Sequence, residues 1–228
     1  MLQMMIAALL FLGTHLGISS TGLRGRLVDR LGERGYLGLY SVLALLTLGY
    51  LIWLYGELPR YDYFWSPSPG LYMVPKLLMP LAAILALGGF LVRNPTTVGM
   101  EGSLRDGRGA QLGRGVTRIT RHPFQWGVVI WAVSHLAANG DRVSVVFFGT
   151  FLILGLAGGA LIDRKKARAL GSDWQGYAAA TSNVPFLAIL SGRQQLALRE
   201  QMVPVLVGLV GYALLYLGHQ WIAGVRLV

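Results

Sequence analysis

The 228-residue sequence predicts an all-α, polytopic integral membrane protein, a bundle of about six transmembrane helices. The first observation behind this is composition: 54% of the residues are hydrophobic, 13% are charged and the mean hydropathy is +0.54, far from a soluble domain. The second is a set of apolar runs approaching the roughly 20 residues that a helix needs to cross a hydrocarbon core about 30 Å thick. The third is the placement of charge. Sixteen of the twenty Lys and Arg fall in three segments, Ser20–Gly35, Arg93–His122 and Asp163–Met202, which are alternate connections of a six-helix chain. The net charge of +10 is therefore a topology signal, with these connections cytoplasmic and both termini periplasmic. It does not point to nucleic acid, and the partner it implies is the lipid bilayer.

The first run, about Leu2 to Ser19, has no Lys or Arg before it, so it is expected to be a helix rather than a cleaved signal peptide. His15 lies near its end between Gly13 and Gly17. Glycines at that spacing admit a second helix or a flat ligand, while a histidine bonded to a nearby serine or to lipid is the bland alternative. Arg24, Arg26, Arg30 and Arg34, mixed with Asp29 and Glu33, form an amphipathic connector along the headgroups. The second run, about Tyr36 to Tyr55, ends in Trp53 and Tyr55, and the loop GELPRYDYFWSPSPG adds Tyr61, Tyr63 and Trp65 as interface anchors.

A third run, about Met73 to Val92, leads to a glycine-rich connection that carries Arg105, Arg108, Arg114, Arg118 and Arg121 towards His122. Pro123 suits the first position of a helix, where its missing N–H is no loss, and the free amides there favour an anion. The fourth run, about Phe124 to Asn139, is short for a span and carries His135, an ionisable ring in hydrocarbon and so a functional candidate. His122 and His135 are thirteen residues apart. On a straight helix this means about 20 Å and nearly opposite faces, so the two cannot ligate one metal together. A partner has to come from another helix, and His15 is the obvious choice because His219 lies near the far end of the last run. The fifth and sixth runs are about Val143 to Ile162 and Val203 to Ala223. Asp163 stands at the membrane edge between them beside Arg164, Lys165 and Lys166, in a basic interfacial helix that also holds Trp174 and Tyr177.

Without cysteine the chain has no disulfide, thiolate metal site or covalent haem attachment, so a metal needs His or oxygen ligands. No phosphate-binding loop, dinucleotide fingerprint, nucleophile elbow or carboxylate pair is present. Catalytic residues stay unassigned.

LGERGYLGLYS, RNPTT, GVTRITRHPFQWGVVIWAVSHLAANGD, FFGTF, IDRKKARALGSDWQGYAAATSNVPF and the following SGR together resemble the NnrU family of bacterial integral membrane proteins. The resemblance implies an NnrU-like transmembrane domain over 1–193, with 194–228 an additional C-terminal transmembrane helix, in a bacterial inner membrane. It also implies a link to denitrification and its nitric oxide chemistry. The same stretches are similar to 15-cis-zeta-carotene isomerase of plants and cyanobacteria, a membrane enzyme that binds haem b and acts on a carotenoid, an apolar small molecule. That likeness implies haem b with His15 and His135 as its metal ligands, and Arg118, Arg121 and His122 contacting the propionates or positioning the helix. The segment reads Ser134-His135 where the isomerase has Ala-His. A fainter likeness, through RHP, is to S-adenosylmethionine-dependent membrane methyltransferases, which use a Glu pair where only Asp163 stands here. A cofactor-free membrane scaffold is the remaining alternative.

Overall fold

The computed structural model describes every residue except 20, 98–99, 101–103, 105–112, 226 and 228. The chain is all-α. Its helices are α1 (Leu2–Leu12), continued by a π-helical turn (Gly13–Ile18), then α2 (Gly22–Glu57), α3 (Pro69–Leu91) and a 3-10 turn (Gly115–Arg118). They continue with α4 (Pro123–Ala138), α5 (Arg142–Ala180), α6 (Leu187–Leu190) and α7 (Leu198–Ala223). Four of them, α2, α3, α5 and α7, are long and apolar enough to cross a membrane, and Leu2–Ile18 and α4 are shorter apolar helices. Leu45, Leu46, Leu206 and Leu217 lie exposed on α2 and α7. Hydrocarbon, not water, is the solvent that makes such faces favourable.

Two of the long helices are each divided by a glycine. Gly32 (φ 72°) kinks α2 within its arginine-bearing connector, between Leu31 and Glu33, and Gly171 (φ 52°) sets the last turns of α5 apart from the rest of that helix. Only glycine takes these backbone angles without steric cost. The amphipathic connector expected from Arg24 to Arg34 is thus helical, with Arg24, Arg26 and Arg30 before the kink and Arg34 after it. Pro123 opens α4, as its fixed φ and missing donor require.

The chain divides into two compact units, Met1–Pro75 with Ala132–Leu161, and Lys76–Trp131 with Ile162–Val228. The core of the first unit is built from Met4, Ala7 and Phe11 of α1, Leu51 and Leu54 of α2, and Val143, Phe147 and Phe148 of α5. The 58–68 loop is latched to the turn before α5. Phe64 N–H donates to Gly140 O at 2.8 Å, Arg142 N–H to Asp62 O at 2.9 Å, and Trp65 Nε1–H to Ala137 O at 3.3 Å. Asp141 caps α5 by accepting from Ser144 N–H at 2.8 Å.

A Cβ on Gly140 would collide with the carbonyl oxygen of Trp65. Gly140→Ala is therefore expected to push the loop off, with a stability loss of about 1–3 kcal/mol. Limited trypsinolysis at Arg60 checks this: faster cleavage than in wild type is expected, and an unchanged rate would show that the latch is not needed.

In the second unit helices approach through small residues. Gly88 and Gly89 of α3 face Pro204, Val116 and Pro123, and Gly127 of α4 lies over the Ala82–Ala86 turn. Leu85, Val116 and Ile119 form one buried cluster, and Leu104, Trp174 and Tyr177 another. Residues 113–122, without a long helix, are largely buried, with Val116 and Ile119 supplying the apolar surface removed from solvent.

Candidate functional site

The structure sorts the candidate residues into two groups, His15 and His135 in the first unit, and Arg118, Arg121 and His122 in the second.

His15 lies inside the π-helical turn. Such widened turns leave backbone carbonyls to be satisfied by side chains, and here Thr14 donates to Leu10 O at 2.8 Å while Ser19 donates to His15 O. His15 Nδ1 is 2.9 Å from Phe11 O. A carbonyl oxygen only accepts, so Nδ1 carries the proton and the Nε2 lone pair is left for a ligand. The ring packs on Phe11 at 4.2 Å and edge-on to Tyr40 at 6.0 Å. His135 packs on Phe148 at 5.0 Å, with Ser134 Oγ 3.4 Å from its Nδ1.

An unbroken series of ring contacts joins the two. Phe11 meets Phe151 at 5.4 Å, Phe151 meets Phe147 at 5.2 Å, and Phe147 meets Phe148 at 5.2 Å. An imidazole held through Nδ1 by a backbone carbonyl, as His15 is, is of the type that serves as an axial ligand to haem, and four phenylalanine rings stand between it and His135. No group of three or more metal-binding side chains occurs among the described residues.

In the second unit Asp163 is the centre. Arg121 Nε donates to Asp163 Oδ1 at 3.0 Å and Nη2 to Oδ2 at 2.5 Å, while His122 Nε2 lies 2.6 Å from Oδ1. His122 is fully buried, and its Nδ1 has no hydrogen-bond partner among the described residues. The anion expected near the start of α4 is thus available from the chain itself. Arg118 binds another carboxylate, with Nε 2.9 Å and Nη2 3.0 Å from Glu200, and Nη1 donates to Gln194 Oε1 at 2.7 Å. Hydrogen bonding to that carboxylate raises the Arg118 guanidinium above its ordinary value. Arg105 and Arg108 lie outside the described residues.

The backbone around Arg121 ties three distant stretches together. Its carbonyl accepts from Asn94 Nδ2 at 3.3 Å and Thr96 Oγ1 at 2.8 Å, and its N–H donates to Ser182 O at 2.8 Å. Asn183 accepts from Thr120 Oγ1 and Trp126 Nε1, and Phe186 N–H, at a left-handed φ of 63°, reaches Ile119 O at 2.8 Å. RNPTT, RHP and TSNVPF are parts of one hydrogen-bonded knot. Sequence reasoning missed Asp163, Glu200, Asn94 and Asn183 as its makers. The available signal was an acidic residue at a membrane edge, which needs a paired cation. His219, expected at an interface, is half-buried, with Nδ1 2.9 Å from Val225 O.

Over 82 residues, 36% of its length, the chain is 35% identical to 15-cis-zeta-carotene isomerase of Arabidopsis thaliana, and over an equal stretch 37% identical to the Zea mays protein of that name. The matched stretch covers 22% of either relative, so the chain accounts for about a fifth of their length. No solved structure matches. The sequence profile described as NnrU protein matches residues 3–227, taking in α7 together with all the stretches above, and the chain belongs to the NnrU family.

Proposed function

We propose that this chain is a membrane-embedded cis-trans isomerase of a polyene lipid, with haem b held by His15 and His135. The observation that carries the reading is the first unit's aromatic run, His15–Phe11–Phe151–Phe147–Phe148–His135, in which phenylalanine rings connect the two imidazoles. The relatives named as carotene isomerases support the substrate class. Haem, held by His15 and His135, would supply a redox-active iron beside the bound polyene. The chain's own part is to hold His15 Nδ1–H on Phe11 O, to exclude water with phenylalanine rings, and to offer a flat apolar face for a conjugated chain. The knot around Arg121 and Asp163 positions the start of α4. The distribution of basic residues favours an inner-membrane topology with both termini periplasmic.

NnrU family membership favours a second reading, a redox or nitric-oxide-responsive protein supporting denitrification. One preparation separates the two. Protein purified in detergent after haem-replete expression is expected to show a Soret band that is lost or shifted in His15→Ala and His135→Ala. Reduced wild type is expected to isomerise a 15-cis polyene with no net redox change, while tight nitric oxide binding without isomerisation would favour the second reading. A colourless wild type, or a band unaltered by both substitutions, rejects the haem assignment.

A further inference from the structure

The three clusters that hold sixteen of the basic residues leave four others, Arg60, Lys76, Arg142 and Arg226. Arg60, in the 58–68 loop, and Arg142, at the first position of α5, line one cavity of about 210 Å³ in the first unit, with Leu58, Asp62 and Val143. At about 30 Å³ per water that is room for a few waters or one phosphate group. Both guanidiniums are pinned on aromatic rings, Arg60 over Tyr55 at 4.2 Å and Arg142 over Phe64 at 5.6 Å. Such stacking removes the side-chain freedom that anion binding would otherwise cost.

Their donors are barely used. Arg60 Nη2 donates to Tyr55 O at 3.0 Å, while its buried Nε has no partner among the described residues. Arg142 Nη1 stands 3.7 Å from Asp62 Oδ2, beyond hydrogen-bond length, with both side chains more than half exposed. Among the side chains that line the site, Arg60 and Arg142 are positive and Asp62 is negative. The site lies where α2 ends and α5 begins, and both helices are long and apolar enough to cross a membrane, whose headgroups would stand at such ends.

We propose that this cavity is a binding site for a phosphate oxyanion, donated by a phospholipid headgroup or by free phosphate, with Arg60 and Arg142 as its forked donors. Planar guanidiniums suit a group with several acceptor oxygens, and Asp62 weakens the site by competing for Arg142. This proposal does not depend on haem or on isomerase activity.

The test uses the full chain in neutral detergent, titrated with dihexanoyl phosphatidic acid and, separately, with inorganic phosphate, followed by calorimetry. Wild type is expected to bind. Arg60→Gln/Arg142→Gln is expected to bind at least tenfold more weakly, and Arg34→Gln, an exposed arginine outside the cavity, to bind like wild type. Asp62→Asn is expected to tighten binding, a gain that misfolding does not produce. Phosphatidic acid binding tenfold tighter than inorganic phosphate identifies the headgroup as the source, and equal binding identifies the free ion. Absence of binding by wild type, undiminished binding by the double variant, or an equal loss in Arg34→Gln would each overturn the proposal.

Discussion

Asp163→Ala is expected to destabilise the folded protein by about 3–5 kcal/mol, the usual cost of removing one partner from a buried ion pair. Arg121 is 14% and Asp163 19% exposed at the side chain, and His122 is fully buried, so loss of the carboxylate strands a guanidinium and an imidazole away from water. The damage extends beyond the pair, because the Arg121 backbone also joins Asn94, Thr96 and Ser182. Unfolding of the detergent-solubilised protein, followed by helix content, measures the effect. Arg121→Met/Asp163→Leu, which removes both charges, is expected to lose less than Asp163→Ala alone. Stability within about 1 kcal/mol of wild type in Asp163→Ala would show that the cluster is solvated and does not hold the start of α4.

Gly208→Leu is the second large effect, on the order of 3 kcal/mol. A Cβ at Gly208 would run into Ile84 Cα and come within 2.6 Å of Ile84 Cγ1, and Gly211 one turn on faces Leu87. In a membrane, helices gain little from the hydrophobic effect and associate through close van der Waals contact, so filling a small-residue face separates them. Gly218→Leu on the same helix has only Ile222 Cδ1 nearby, at 3.7 Å, and is expected to leave stability within about 0.5 kcal/mol. The unfolding assay compares the two. Similar losses in both variants would mean that α7 is held in some other way.

How far the site could be read from the sequence differed by residue. His15 and His135 stood out because an ionisable ring in an apolar run is rare, and rarity needs no coordinates to recognise. Pro123 marked the start of α4 because its missing N–H allows few other positions. Arg118 and Arg121 were legible as cations near a helix start, but not their carboxylates. Glu200 lies 82 positions from Arg118 and Asp163 lies 42 from Arg121, and pairing over such spans follows from packing, which has no period in the sequence. FFGTF stood out only as part of a family resemblance, and nothing in the sequence pairs its rings with Phe11 or with the histidines.

By itself the sequence determined the all-α membrane class, the apolar helices and the segregation of basic residues, since these follow from local hydropathy and from what a bilayer tolerates. The tertiary structure decided that Asp163 joins Arg121 to His122, that RNPTT and TSNVPF meet at one carbonyl, and that Arg60 and Arg142 share a cavity. Hydrogen bonds and ion pairs act over about 3 Å in space regardless of separation along the chain, so their partners are chosen only when the helices pack.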